Sequence, residues 1–397
     1  QSVGTTCVGS VYQAANQLPN VVFEVAAGGA LAAVAVPIIA GQLALNDQAA
    51  ATKTASAMLT WALTVLVPLS VLMAAAATPL SGFLVDSGRC SGSTGLTASM
   101  VVVFAPQIAL YGVGIVLAGV LQAHRRFLAA ALAPLLSSVV VIATYLLYGA
   151  LAQGRGNDLA RLPSQASTVL AAGTTLGVVA LSLPLLVPVH RAGIGLRPTW
   201  TFPVGVARRA RALAGAGLLA LVAQQIAVLV TLWVSQHRGG TGTLNVYTYV
   251  QAVYLLPYAV LAVPIATAAT PALATVSAPA AQVRAPGQMT PATVTARSST
   301  VGESNQWSVE GAQGTLVSSA RAILVATCAA AAVLFAIAGP TGAFFSALDA
   351  GRRSPAGREA LAALPGALSA FAPGLVGFGL AALLTRALYI HGRPAVA

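Results

Sequence analysis

Stretches of about twenty apolar, almost uncharged residues recur along this chain. Examples are Val101–Leu121, Leu132–Leu151, Val169–Val189, Leu213–Val234 and Leu361–Leu388. Each is long enough to cross a hydrocarbon core of about 30 Å as an α-helix. Such a helix satisfies its own backbone hydrogen bonds, which lipid cannot do. A β-barrel would instead need segments of about 10 residues with alternating polarity, and the sequence has no such pattern. Only 7% of residues are charged and mean hydropathy is +0.83, whereas a soluble domain carries roughly 25% charged residues. The chain therefore reads as an all-α polytopic transmembrane bundle.

The net charge of +12 does not point to nucleic acid. The basic residues sit between spans rather than in a stripe interleaved with aromatics. Cys7, Cys90 and Cys328 have no metal-ligand spacing, and an odd count argues against a disulfide framework. His124, His190, His237 and His391 fall at span ends and read as interfacial. There is no Ser/His/Asp or Cys/His constellation, no Walker A loop and no pair of carboxylates for a glycosyltransferase. Neither an enzyme nor a cofactor or metal is expected.

Nine spans are predicted, roughly 10–45, 53–84, 97–123, 127–152, 166–190, 209–237, 244–278, 314–347 and 360–391. Proline and glycine interrupt the first (Pro19, Pro37) and the seventh (Pro257, Pro264, Pro271). One set of alternate loops carries thirteen of the twenty basic residues, including Lys53, Arg125, Arg126, Arg197, Arg208, Arg209 and Arg211. The other carries seven, including Arg89, Arg238, Arg352 and Arg358. The positive-inside rule makes the first set cytoplasmic. Segment 279–313, rich in Ser, Thr, Pro, Gly and Gln, reads as a flexible cytoplasmic linker. Gln1 opens without a methionine or signal peptide, and Ala397 closely follows a span, so both ends read as cut.

An internal repeat is visible. Phe104-Ala105-Pro106 recurs as Phe371-Ala372-Pro373, and without a gap Gly112 matches Gly379 and Arg126 matches Arg393. Gln13-Ala14 and Leu18-Pro19 match Gln251-Ala252 and Leu256-Pro257, and Pro79 matches Pro340. The pairs imply two parallel six-helix lobes around a central cavity, incomplete here: residues 1–190, lacking a first helix, and 191–397, lacking the last two. That is the plan of a rocking-bundle transporter with its site at the repeat interface.

Gln17-Leu18-Pro19-Asn20 with Glu24, Gly28-Gly29 and Val36-Pro37 resembles the second helix of the MurJ/MviN lipid II flippases. Phe104-Ala-Pro-Gln through Gly112, Leu121-Gln122-Ala123, Arg126-Phe127 and Pro134 resembles their fourth and fifth helices. Tyr249, Leu256-Pro257-Tyr258 and Pro271 resemble the eighth, and Arg386 and Tyr389 the end of the tenth. The resemblance covers most of the chain outside 279–313, and Glu24 suggests the actinobacterial branch. It implies the multidrug/oligosaccharidyl-lipid/polysaccharide exporter fold and alternating-access transport of undecaprenyl-pyrophosphate-linked peptidoglycan precursor. Implied partners are that precursor, membrane lipids and other cell-wall synthesis proteins. Where the family places cavity arginines in its second and eighth helices, this chain has Phe23 and Ala252, and Ser10 stands at an aspartate position. A non-transporting scaffold of cell-wall assembly and an exporter of another lipid-linked glycan are the alternative functions.

Glu24 is the acidic residue deepest in an apolar span, and ionisable groups there default to function. It is expected to carry a proton or pair with a basic group; the alternative is a packing role near Gly28. Gln13, Asn16, Gln17 and Asn20, with Gln224, Gln225 and Gln251, would line a wet cavity or make interhelical contacts. Arg386 would face that cavity or snorkel to the interface. Arg125, Arg126, Arg208, Arg209 and Arg211 would hold anionic headgroups or first meet the substrate diphosphate.

Overall fold

A computed structural model describes residues 4–86, 88, 90–153, 155, 158–203, 206–262, 264–265, 298–348 and 355–390. For 28–30, 32–34, 207–220, 298–316, 355–356 and 386–390 the description is of helical backbone alone. Every described element is helical. In order they are α1 (Cys7–Phe23), a π-helical turn (Glu24–Gly28), α2 (Gly29–Ala44), α3 (Gln48–Ala75), α4 (Ala77–Leu84), α5 (Ser93–Phe104), α6 (Gln107–Ala123), α7 (Phe127–Ala152) and α8 (Ser164–Ser182). After a 3₁₀ turn (Leu183–Leu185) come α9 (Leu186–Arg191), α10 (Val206–His237), α11 (Thr243–Pro257) and a second π turn (Tyr258–Ala262). The last are α12 (Ser298–Leu348), α13 (Pro355–Ala362), α14 (Leu364–Phe371) and α15 (Gly374–Ile390). Among the described residues five helical stretches are long and apolar enough to span, and α13–α14 with α15, bent by 48°, make a sixth if counted as one span. Residues 298–313, assigned from sequence to an irregular linker, are the first turns of α12; 279–297 lie outside the described residues.

Two compact units result: Gln1–Val246 with Phe345–Ala362, and Tyr247–Phe344 with Ala363–Ala397. In the first, Thr6 caps α1 by accepting the Gly9 N–H at 3.0 Å, and Asp47 caps α3 by accepting that of Ala50 at 2.8 Å. α6 ends with Arg125 in the left-handed region (φ 58°), and the Arg126 N–H closes back on Leu121 O at 2.8 Å. Asn46 (φ 58°) and the Asp47 N–H to Gln42 O bond, 3.0 Å, end α2 in the same way. Small residues let the helices touch: a Cβ on Gly173 of α8 would lie 2.2 Å from Thr144 Oγ1 of α7. The opposite side of α7 leaves Leu132, Leu135, Val139, Ile142 and Leu146 exposed. That apolar stripe fits lipid.

The repeat reappears in each unit's own packing. α5 stops at Phe104, the chain breaks at Ala105-Pro106, and α6 resumes for 17 residues. α14 stops at Phe371, breaks at Ala372-Pro373, and α15 likewise runs for 17. Phe104 packs edge-on against Tyr12, with centroids 6.0 Å apart, and Phe371 against Tyr254, 5.6 Å apart, although these two tyrosines do not correspond in the repeat, whose register pairs Tyr12 with Val250. In both repeats a π turn also follows the Leu-Pro pair, after Pro19 and directly after Pro257.

Candidate functional site

α1 is the helix that carries the polar pattern, and it is largely buried. Its buried residues include Val8, Val11, Tyr12, Ala14, Ala15, Leu18, Val21 and Phe23. Gln13, Gln17, Asn20 and Glu24 are half-exposed instead and recur at the spacing of one helical face, with Asn16 beside them. A stripe facing lipid would be apolar, as on α7. Pro19 removes one backbone donor from this helix, and Asn20 Nδ2 donates to the Asn16 carbonyl at 3.2 Å next to it. Glu24 opens the π turn, a distortion frequent at functional sites because it re-aims side chains. No salt bridge to Glu24 occurs among the described residues. α10 packs along α2 and this π turn.

Behind the stripe lies a polar network. Thr174 Oγ1 donates to Leu170 O at 2.7 Å, so its hydrogen is spent. Tyr12 must therefore donate in its 3.0 Å bond to Thr174, and Tyr145 must donate in its 2.9 Å bond to Tyr12. Gln107, fully buried at the α5–α6 break, donates to Thr175 Oγ1 at 3.0 Å. Thr175 in turn donates to Val103 O at 2.9 Å, a carbonyl beside Pro106. Sequence reasoning passed over Gln107 and Thr175. Their signal is an amide directly after a proline inside an apolar span.

The remaining expected site residues scatter. Gln224 is exposed and Gln225 buried on α10, and Gln251 is exposed on α11 in the other unit. Arg125 and Arg126 are exposed at the α6–α7 turn. Arg125 holds a left-handed conformation that costs a non-glycine residue about 1–2 kcal/mol. Arg208, Arg209, Arg211 and Arg386 lie on helical backbone, and their side chains are outside the description. No group of three His, Cys, Asp or Glu converges among the described residues.

The two ends of the first unit sort by charge. Residues 197–200 lie along α3: the Arg197 N–H donates to Ser56 Oγ (3.1 Å), the Thr199 N–H to Thr60 Oγ1 (3.0 Å), and Trp61 Nε1 to Trp200 O (3.0 Å). The Trp61 and Trp200 rings meet edge-on, 5.5 Å apart. This is the Lys53 and Arg197 side, and exposed tryptophans suit a membrane interface. At the other end the charge-poor loops meet, and Cys7 is disulfide-bonded to Cys90, Cα–Cα 6.1 Å. This corrects the inference from odd parity. Cys328, the third cysteine, lies within the α12 span, so only two cysteines are placed where oxidation occurs. A disulfide belongs to an oxidising compartment, which agrees with placing the charge-poor loops outside.

Comparison with known proteins matches this architecture. One similar solved structure is an inward-facing conformation of a multidrug resistance MATE family transporter of the MOP superfamily. The TM-score is 0.71 at 16% identity, over 99% of this chain and 79% of that one. Another is lipid II flippase MurJ in an inward closed conformation, with a TM-score of 0.67 at 15% identity, over 98% and 72%. The likeness to both establishes an all-helical membrane transporter fold. The family profile described as lipid II flippase MurJ matches residues 1–397. The chain therefore belongs to the MurJ family of lipid II flippases, transporters of the cytoplasmic membrane rather than enzymes.

Proposed function

We propose that the polar stripe of α1, running Gln13, Gln17, Asn20 and Glu24 with Asn16 beside it, lines the route along which the head group of lipid II crosses the membrane. The observation that carries this reading is the inversion of the usual pattern: apart from Val22, the half-exposed residues of the buried helix α1 are the amides Gln13, Asn16, Gln17 and Asn20, and Glu24 continues their face into the π turn. Amides supply both donors and acceptors for sugar and peptide groups without a fixed charge. Glu24, at the π turn, is the group whose charge changes the balance between the inward- and outward-open states. A proton or ligand can shift that balance only through different interactions in the two. Arg125 and Arg126 would meet the diphosphate at the cytoplasmic entrance.

Cysteine scanning along α1 tests the route in the reconstituted protein carrying Cys328→Ala. Cysteines at Gln17 and Asn20 should react with a membrane-impermeant thiol reagent, and bound lipid II should protect them. Cysteines at Ala15 and Val21 should stay unreacted. Equal labelling of both sets, or no protection, contradicts the reading.

A further inference from the structure

We propose that the Cys7–Cys90 disulfide is the positioning element of an extracytoplasmic latch. It fixes the first turn of α1 as the seat on which the α10–α11 turn and α13 dock. The bond joins the first residue of α1 to the loop between α4 and α5. One turn further along α1, Ser10 receives both partners offered by the other side. Its Oγ accepts the Gly242 N–H at 3.1 Å, and its carbonyl accepts Gln236 Nε2 at 2.8 Å. Before the helix starts, the Gly4 carbonyl accepts from Asn245 Nδ2.

The fit depends on close backbone approach. Gly242 has φ +90°, and a Cβ there would lie 2.8 Å from Thr5 Cβ. A Cβ on Gly357 of α13 would lie 2.6 Å from Thr5 O. Residues 4–10 thus hold segments that follow them by more than 200 positions. The hydrogen bonds from Gly242, Gln236 and Asn245 join neutral groups, and each contributes about 0.5–1.5 kcal/mol, a size that a transport cycle can exchange. The seat must not drift while the partners are away. The disulfide supplies that by tying the first residue of α1 covalently to the loop between α4 and α5. It borders a small cleft, partly open to solvent, whose wall includes Asp86, Ser93, Gln236 and Thr241. The contacts stand independently of the transport reading; their role in opening and closing rests on it.

Hydrogen–deuterium exchange on the protein in lipid nanodiscs tests this. The arms are the oxidised protein, the protein treated with a dithiol reductant, and Cys7→Ser/Cys90→Ser. The reductant's thiolate attacks one sulfur to give a mixed disulfide, which the second thiol resolves. The products are two protein thiols and one oxidised dithiol, seen as a mass gain of two hydrogens. Exchange across 242–246 should rise about tenfold, the equivalent of about 1.4 kcal/mol of local protection. Exchange at Arg197 and Thr199 should not change. Ser10→Ala, with the disulfide intact, should give the same local rise. Unchanged exchange at 242–246 after complete reduction overturns the proposal. So does a loss of protection throughout the protein, which would make the bond a general staple. If the double variant fails to fold, reduction of the assembled wild type decides.

Discussion

A Cβ atom on Gly112 would lie 2.3 Å from Leu66 Cδ1, so α6 meets α3 at a distance that only glycine permits. The same contact recurs in the second unit. A Cβ on Gly379 would lie 2.8 Å from Thr327 Cγ2 and 3.0 Å from Ile323 Cγ2. The spacing that separates Pro79 from Pro340 also separates Leu66 from Thr327, and Ala62 from Ile323. Two halves with little shared sequence thus keep one register at one glycine, because close helix approach tolerates few solutions.

Overpacking that contact should therefore be costly in either half. Gly112→Val and Gly379→Val should each destabilise by about 1–3 kcal/mol, read as a lowered Tm in detergent. Leu66→Ala should restore much of the loss in the first and none in the second. Equal rescue of both would contradict the packing register.

Tyr12 links Tyr145 to Thr174 through bonds whose directions are set by the Thr174 donation to Leu170. Tyr12→Phe leaves the Tyr145 hydroxyl without an acceptor and should cost about 0.5–2 kcal/mol. The double variant Tyr12→Phe/Tyr145→Phe should cost no more than the single one. Additive losses in a double-mutant cycle would show that the hydroxyls are not coupled.

Segment 197–200 is held to α3 by hydroxyl acceptors on Ser56 and Thr60 and by the Trp61 indole. Ser56→Ala/Thr60→Val should speed amide exchange at Arg197 and Thr199 while leaving the α5–α6 helices unchanged. A protease added to inside-out vesicles should then cut this segment faster, and one added outside whole cells should not. Cleavage from outside would reverse the topology.

Features that repeat locally were legible in the sequence. Phe-Ala-Pro marks a helix break wherever it falls, because proline removes a donor and clashes one turn back. The stripe at Gln13, Gln17, Asn20 and Glu24 is legible from helical periodicity alone. Contacts between distant segments were not. Cys7 and Cys90 are 83 residues apart, and nothing in their spacing distinguishes a pair from two free thiols. Trp61 and Trp200 each look like an isolated interfacial aromatic, and their contact depends on the path of an extended segment that periodicity does not describe. Gln224, Gln225 and Gln251 look alike in sequence, yet one is buried and two are exposed, since which face packs is decided by neighbouring helices.

The central claim is that this chain flips lipid II along the α1 stripe under the control of the Glu24 charge. Leaflet accessibility of labelled lipid II in vesicles containing wild-type or Glu24→Gln protein tests it most directly. The substitution keeps the shape of the side chain and removes the charge. Wild-type vesicles should expose inner-leaflet lipid II rapidly, and Glu24→Gln should slow this about tenfold or more, roughly 1.4 kcal/mol in the limiting barrier, with unchanged expression and Tm. Rapid flipping that Glu24→Gln leaves unaltered would contradict the role given to Glu24, and wild-type vesicles that do not flip lipid II would contradict transport itself.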